Sequence, residues 1–129
     1  MRAHLAAMKQ LFHVIALIML VSCGKSPTEA VFSELEWREN ASVAYCKGYK
    51  FTGTATQKHT NGKTKGEYPF ADGHLHGVVK EYYDNGQQSV ETNFEHGKRH
   101  GSNRYWSQEG KLTKEQIYDR DKSVSVKHF

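Results

Sequence analysis

Histidine is the first residue type that could do chemistry here, with eight copies in 129 residues. His74 and His76 flank Leu75, His96 and His100 stand in a similar stretch further on, and His59 precedes both. Zinc would need several such nitrogens converging at about 2.0–2.1 Å from one ion. A second candidate is Cys46, a potential thiolate nucleophile, but it lies in no recognisable nucleophile elbow and has no evident catalytic partner in sequence. A third is the set Glu67, Glu91 and Glu115, which could supply paired carboxylates for acid–base work. Last come the aromatics Tyr82, Tyr83, Tyr105 and Trp106, suited to burying area against another molecule.

Which of these can act together depends on the elements that carry them, and those elements repeat. A shift of 24 positions superposes Gly53, Gly77 and Gly101, then Gly62, Gly86 and Gly110, and Gly73 with Gly97. The same shift aligns Phe70, Phe94 and Tyr118, the three glutamates, Tyr82 with Trp106, Asn61 with Asn85, and His76 with His100. A fixed period in this range marks a repeat array. Three copies fill 51–122, the last with Asp121 in place of its closing glycine.

Each copy reads as two strands. The segment GVVKEYYDNG runs into Asn85-Gly86, a hairpin signal whose two-residue form needs positive φ at both positions. In QQSVETNFEHG, Val90, Thr92 and Phe94 alternate with Ser89, Glu91, Asn93 and Glu95, the period of a strand with two unlike faces. The glycines are expected to punctuate turns, with a second turn over His96–Gly101. The fold class that follows is all-β: a meander of antiparallel hairpins forming one open, twisted sheet, with a leader hairpin over 31–50 and a tail over 123–129. Pro69, within a strand, suits an edge or outward position.

That architecture weakens most of the catalytic readings. Equivalent positions two strands apart lie about 10 Å from each other, so His76 and His100 could share a metal only through long rotamers or strong twist. The histidines are therefore expected to be polar loop residues, with no metal and no cofactor bound. The glutamates form a solvent-facing column balanced by neighbouring lysines. The glycines end strands and open no helix, so no phosphate cradle is expected. The column of Tyr82, Trp106, Phe70, Phe94 and Tyr118 is expected to be core. Tyr83 and Tyr105 cannot both point inward by strand parity, so Tyr83, Tyr105 and Trp106 are the candidate anchors for a protein partner.

The front of the chain has a different composition. Arg2 and Lys9 precede the apolar run Leu11–Val21, too short for the ~20 residues of a membrane span. A basic start, a short apolar stretch and small residues after it read as a secretory signal peptide over 1–22. The run ends in Leu20-Val21-Ser22-Cys23, which resembles the bacterial lipobox. That resemblance implies cleavage before Cys23, lipid on its sulfur, a tether over 23–30 and, with Gly24 next, the outer membrane facing the periplasm. Loss of Arg2 and Lys9 lowers the formal charge of +4 by two, leaving no nucleic-acid footprint. With Cys23 as a thioether, Cys46 has no disulfide partner and is either a buried apolar residue or an intermolecular thiol.

The pattern G-x-x-x-x-Y-Y-D-N-G followed by F-x-x-G-K-x-x-G, at Gly77–Gly101, resembles the MORN-repeat variant of bacterial proteins. Glu34–Ala55 is similar to the leader of that family, and the resemblance covers roughly Leu35–Lys122. The chain departs from it at Ala55, Val79 and Asn103, where a tryptophan is common, and at Trp106, where tyrosine is usual. Together with the lipobox-like segment, this resemblance implies a non-catalytic, lipid-anchored envelope module that binds a protein. Two alternatives stay open: an immunity or antitoxin-type inhibitor, since some members carry an antitoxin label, and a metal- or glycan-binding accessory of an envelope enzyme.

Overall fold

The protein is described by a computed structural model over residues 28–129. The signal segment 1–22, Cys23 and the start of the tether lie outside those residues. The described chain is almost entirely strand: β1 (Glu29–Val31), a 3-10 turn (Phe32–Glu34), β2 (Glu36–Arg38), β3 (Val43–Cys46), β4 (Tyr49–Lys50), β5 (Gly53–Lys58), β6 (Thr64–Ala71), β7 (His74–Leu75), β8 (Gly77–Tyr82), β9 (Gln88–Glu95), β10 (Lys98–Trp106), β11 (Leu112–Asp119) and β12 (Lys122–His128).

The repeats form the expected open meander, β5-β6-β8-β9-β10-β11-β12, with β7 also paired to β6. Two features of the front end extend the expectation. The last tether residues, Glu29 and Ala30, enter β1, which pairs parallel to β5. The leader is a separate three-stranded sheet, β2-β3-β4. It packs against the first repeat because it carries the apolar residues that the lean repeats lack. Leu35, Ala44 and Cys46 are buried with Phe51, Ala55 and Phe70 of the repeats. Phe32 lies 4.7 Å from Tyr68, ring to ring, and Phe51 5.7 Å from Phe70. Cys46 takes the buried option, as a small apolar core residue.

Two turn types alternate, and they are assigned differently from the expectation. At Tyr83–Gln87 the Gly86 amide donates to the Tyr83 carbonyl at 2.9 Å and the Tyr83 amide to the Gln87 carbonyl at 2.8 Å. Gly86 alone has positive φ, +90°, while Asn85 does not. This is a three-residue hairpin closed by a left-handed glycine, not the two-residue form. The same bonds recur at His59–Lys63 and Ser107–Lys111. The two-residue turn with positive φ at both positions occurs instead at Asp72-Gly73, His96-Gly97 and Arg120-Asp121. The second turn of the unit is thus tighter than His96–Gly101, and β10 begins at Lys98.

Gly53, Gly77 and Gly101 are not turn residues. Each stands in a strand directly opposite an aromatic: Gly53 faces Phe70, Gly77 faces Phe94 and Gly101 faces Tyr118. Pro69 is likewise not on an edge strand, since β6 has neighbours on both sides. The Thr54 amide opposite Pro69 turns away to the Thr28 carbonyl, so the proline nitrogen faces the irregular His76–Gly77 step and no ladder bond is lost. The aromatic column is core at its ends only: Phe70 and Tyr118 are buried, whereas Phe94, Tyr82 and Trp106 are half-buried.

Candidate interaction surface

The glutamate column is one part of a row that crosses the sheet. Glu67 stands opposite Lys80, Lys80 opposite Glu91, Glu91 opposite Arg104, Arg104 opposite Glu115, and Glu115 opposite Lys127. Arg104 donates to Glu115 at 2.8 Å and lies 3.8 Å from Glu91. Strand register therefore inserts a cation between successive carboxylates, which removes the like-charge pressure that tunes an acid–base pair. Tyr82 donates to Glu67 at 3.2 Å, and burial, then the charge of Glu67, raises its phenol above the ordinary range. On the other face Tyr68 donates to Glu81 at 3.0 Å, with its own phenol raised first by burial and then by Glu81.

Two of the histidines, expected to be separate polar loop residues, meet each other. His76 meets His96, not His100: their rings are 5.1 Å apart, and the His96 amide donates to the His76 Nδ1 at 3.4 Å. The tight His96-Gly97 turn brings this about by folding residue 96 back over the start of its own repeat, where the Gly97 amide donates to the Leu75 carbonyl at 2.8 Å. His100 lies between two acids, 3.3 Å from Asp119 and 3.8 Å from Glu95. His59 contacts the Tyr82 carbonyl through Nε2 at 2.8 Å. No three metal-binding side chains converge among the described residues.

The three candidate anchors are all half-buried and stand near the strand ends that meet the three-residue turns. The Tyr83 hydroxyl donates to the Trp106 carbonyl at 2.8 Å, so the structure brings these two together across adjacent repeats. His59 makes the matching contact one repeat earlier. Tyr105 is on the opposite side of β10 from Trp106 by strand alternation. Its hydroxyl accepts from Asn103 at 3.0 Å, and the Lys114 ammonium sits 3.9 Å above its ring. The anchors thus wrap the end of the sheet and do not share one face.

A feature that the repeat pattern did not point to is the groove between the leader sheet and the tight turns. It is lined by Trp37, Phe70, Leu75, His96 and Lys98 among others, with Trp37 42% exposed. The signal lay in the leader's surplus of aromatics, but sequence alone does not say which face of the array they cover.

Comparison with known proteins agrees with this geometry over one repeat. No curated protein and no solved structure matches the chain. Residues 75–96, which run from the start of the second repeat to the tight turn at the end of β9, match the family model of the MORN repeat variant.

Proposed function

We propose that this protein is a non-catalytic, lipid-anchored module of the bacterial envelope that binds another protein through the strand ends of its second and third repeats. The observation that carries this reading is the bond from the Tyr83 hydroxyl to the Trp106 backbone carbonyl, which holds the Tyr83 ring against the strand that carries Trp106 while both side chains stay partly open. Ordered aromatics bury much area at little entropic cost, which is why such residues dominate interfaces. The match to the MORN repeat variant supports a repeat-built binding module. The lipobox-like Leu20–Cys23 supports the anchor and the periplasm-facing location.

The test is photo-crosslinking in intact cells, with a benzophenone amino acid at position 83, 105 or 120. The expected result is one discrete adduct of the same added mass from 83 and 105 and none from the exposed Arg120, in the turn at the other end of β11. Failure of both positions to give an adduct, with the protein folded, would remove the binding reading at these anchors.

A further inference from the structure

The outer edge of β12 has a self-complementary character. All seven of its residues are exposed, and its outer side pairs with nothing among the described residues. Val124, Val126 and, just after the strand, Phe129 are 64%, 50% and 60% exposed, which gathers three of the large exposed apolar side chains of the protein on one short segment. A strand edge of this kind is a template for a further strand. The usual deterrent is charge, but both lysines stand opposite acids of β11: Lys122 opposite Asp119 and Lys127 opposite Glu115.

The backbone is oriented for such pairing. The Phe129 amide donates to the Thr113 carbonyl at 3.0 Å. By antiparallel alternation, residue 127 also turns its polar groups inward, while 126 and 128 turn theirs to the open edge. β12 also departs from its counterparts within the array. Ser125 takes the place held by Gly77 and Gly101, and its φ is not positive. The irregularity against β11 shrinks to a single step beside Val124, leaving 125–128 as a regular strand.

We propose that β12 is the pairing edge for a second copy of this chain, joined antiparallel about a two-fold axis at Ser125. A two-fold interface requires that residue i meet j and that j meet i. Centring at Ser125 sets Val124 against Val126 twice, Lys122 against His128, and Ser123 against Lys127, with no lysine opposite a lysine. Centring at Val124 or Val126 sets a valine against Lys122 or His128 and shortens the overlap. The two sheets then continue as one. This inference is independent of the aromatic anchors, which lie at the strand ends and not along the β12 edge.

Crosslinking of the full chain tests the axis. Opposed antiparallel residues lie about 4.5–5.5 Å apart at Cα, within the ~4.4–6.8 Å that a disulfide spans. Ser125→Cys is therefore expected to give a dimer on a non-reducing gel that collapses with dithiothreitol. Thr60→Cys, exposed in the first three-residue turn, is expected to leave the chain as the unsubstituted protein runs. Adding Val126→Pro removes the outward amide and is expected to abolish the Ser125→Cys dimer while the thermal melt stays cooperative. Should that variant unfold, Val124→Lys, which puts a charge opposite Val126 of the second copy, must lower the dimer yield instead. A Ser125→Cys band no stronger than that of Thr60→Cys overturns the proposal, as does a dimer that survives in folded Val126→Pro or Val124→Lys.

Discussion

Gly77 stands directly opposite Phe94, and 24 residues to either side Gly53 stands opposite Phe70 and Gly101 opposite Tyr118. An aromatic ring beside a bare backbone recovers area that a glycine in a strand would leave unpacked. Gly77 also holds φ at +108°, and a Cβ there would meet the Pro69 ring at 3.4 Å. Gly77→Val is expected to lower stability by ~1–3 kcal/mol, the range for a side chain forced into a sparsely allowed backbone state. Chemical denaturation measures it, and an unchanged midpoint would mean that the strand relaxes at no cost.

Gly86 separates strain from crowding. Its φ is +90°, yet a Cβ would meet nothing nearer than the Lys63 side chain at 4.0 Å. The cost of replacing it is therefore a backbone cost. Gly86→Val should destabilise by ~1–3 kcal/mol, and Gly86→Asn by less, because asparagine tolerates left-handed backbone. Equal losses in thermal melts of the two variants would point to sterics instead.

Asn85 shows how much of the fold was legible in sequence. The Asn-Gly step correctly marked a hairpin, and the 24-residue shift correctly gave the strand order. Neither could give the turn type, because asparagine serves two purposes. Its Oδ1 accepts from the Gln87 amide at 2.8 Å, and its Nδ2 donates to the Gln108 carbonyl of the next repeat at 3.2 Å. Asn61 does the same towards Lys63 and Asp84. The leader's packing was not legible, since nothing local to Phe32 or Trp37 says that they turn onto Tyr68 and Phe70. Evenly spaced strands would keep His76 apart from the other loop histidines, whereas a tight turn folds residue 96 back to it. Asn85→Asp keeps the acceptor and loses the donor, so a loss of ~0.5–1.5 kcal/mol is expected, reduced by solvent at this exposed site. Hydrogen exchange should show it first at the Ser107–Lys111 turn.

Asp121 makes the last repeat sensitive to acid. It stands where Gly73 and Gly97 stand, at φ +69°, and its carboxylate accepts from the Arg99 side chain at 3.0 Å and the Arg99 amide at 3.1 Å. Those bonds, the side-chain one first, hold its pKa below the ordinary carboxylate value. A carboxylate depressed in the folded state contributes stability that is present above its unfolded pKa and lost as pH falls through the folded one. The pair is well exposed, so solvent limits the contribution to ~0–1 kcal/mol. Asp121→Asn should flatten the acid limb of the stability curve below about pH 4, near the unfolded value of aspartate. An identical pH profile in the two proteins would show that the Arg99 contact adds nothing.

The buried pair Thr92 and Asn103 gives the sharpest test of how the repeats are packed. Thr92 donates to the Asn103 Oδ1 at 2.8 Å, and the Asn103 Nδ2 donates to the Tyr105 hydroxyl at 3.0 Å. Both residues are more than nine-tenths buried, whereas the position equivalent to Asn103 holds Val79 in the second repeat and Ala55 in the first. The chain has therefore placed a polar chain of bonds where its other repeats use apolar packing. Thr92→Val alone leaves the Asn103 oxygen without its donor and should cost ~1–3 kcal/mol, the penalty of an unsatisfied buried group. Asn103→Val alone removes the acceptor of Thr92 and the partner of Tyr105, with a loss of similar size. The double variant replaces both with apolar groups and should lose clearly less than the two single losses added together. Urea denaturation of the four proteins closes the cycle. Simple additivity would show that the two side chains do not depend on each other, and that Asn103 is buried for a reason other than this bond.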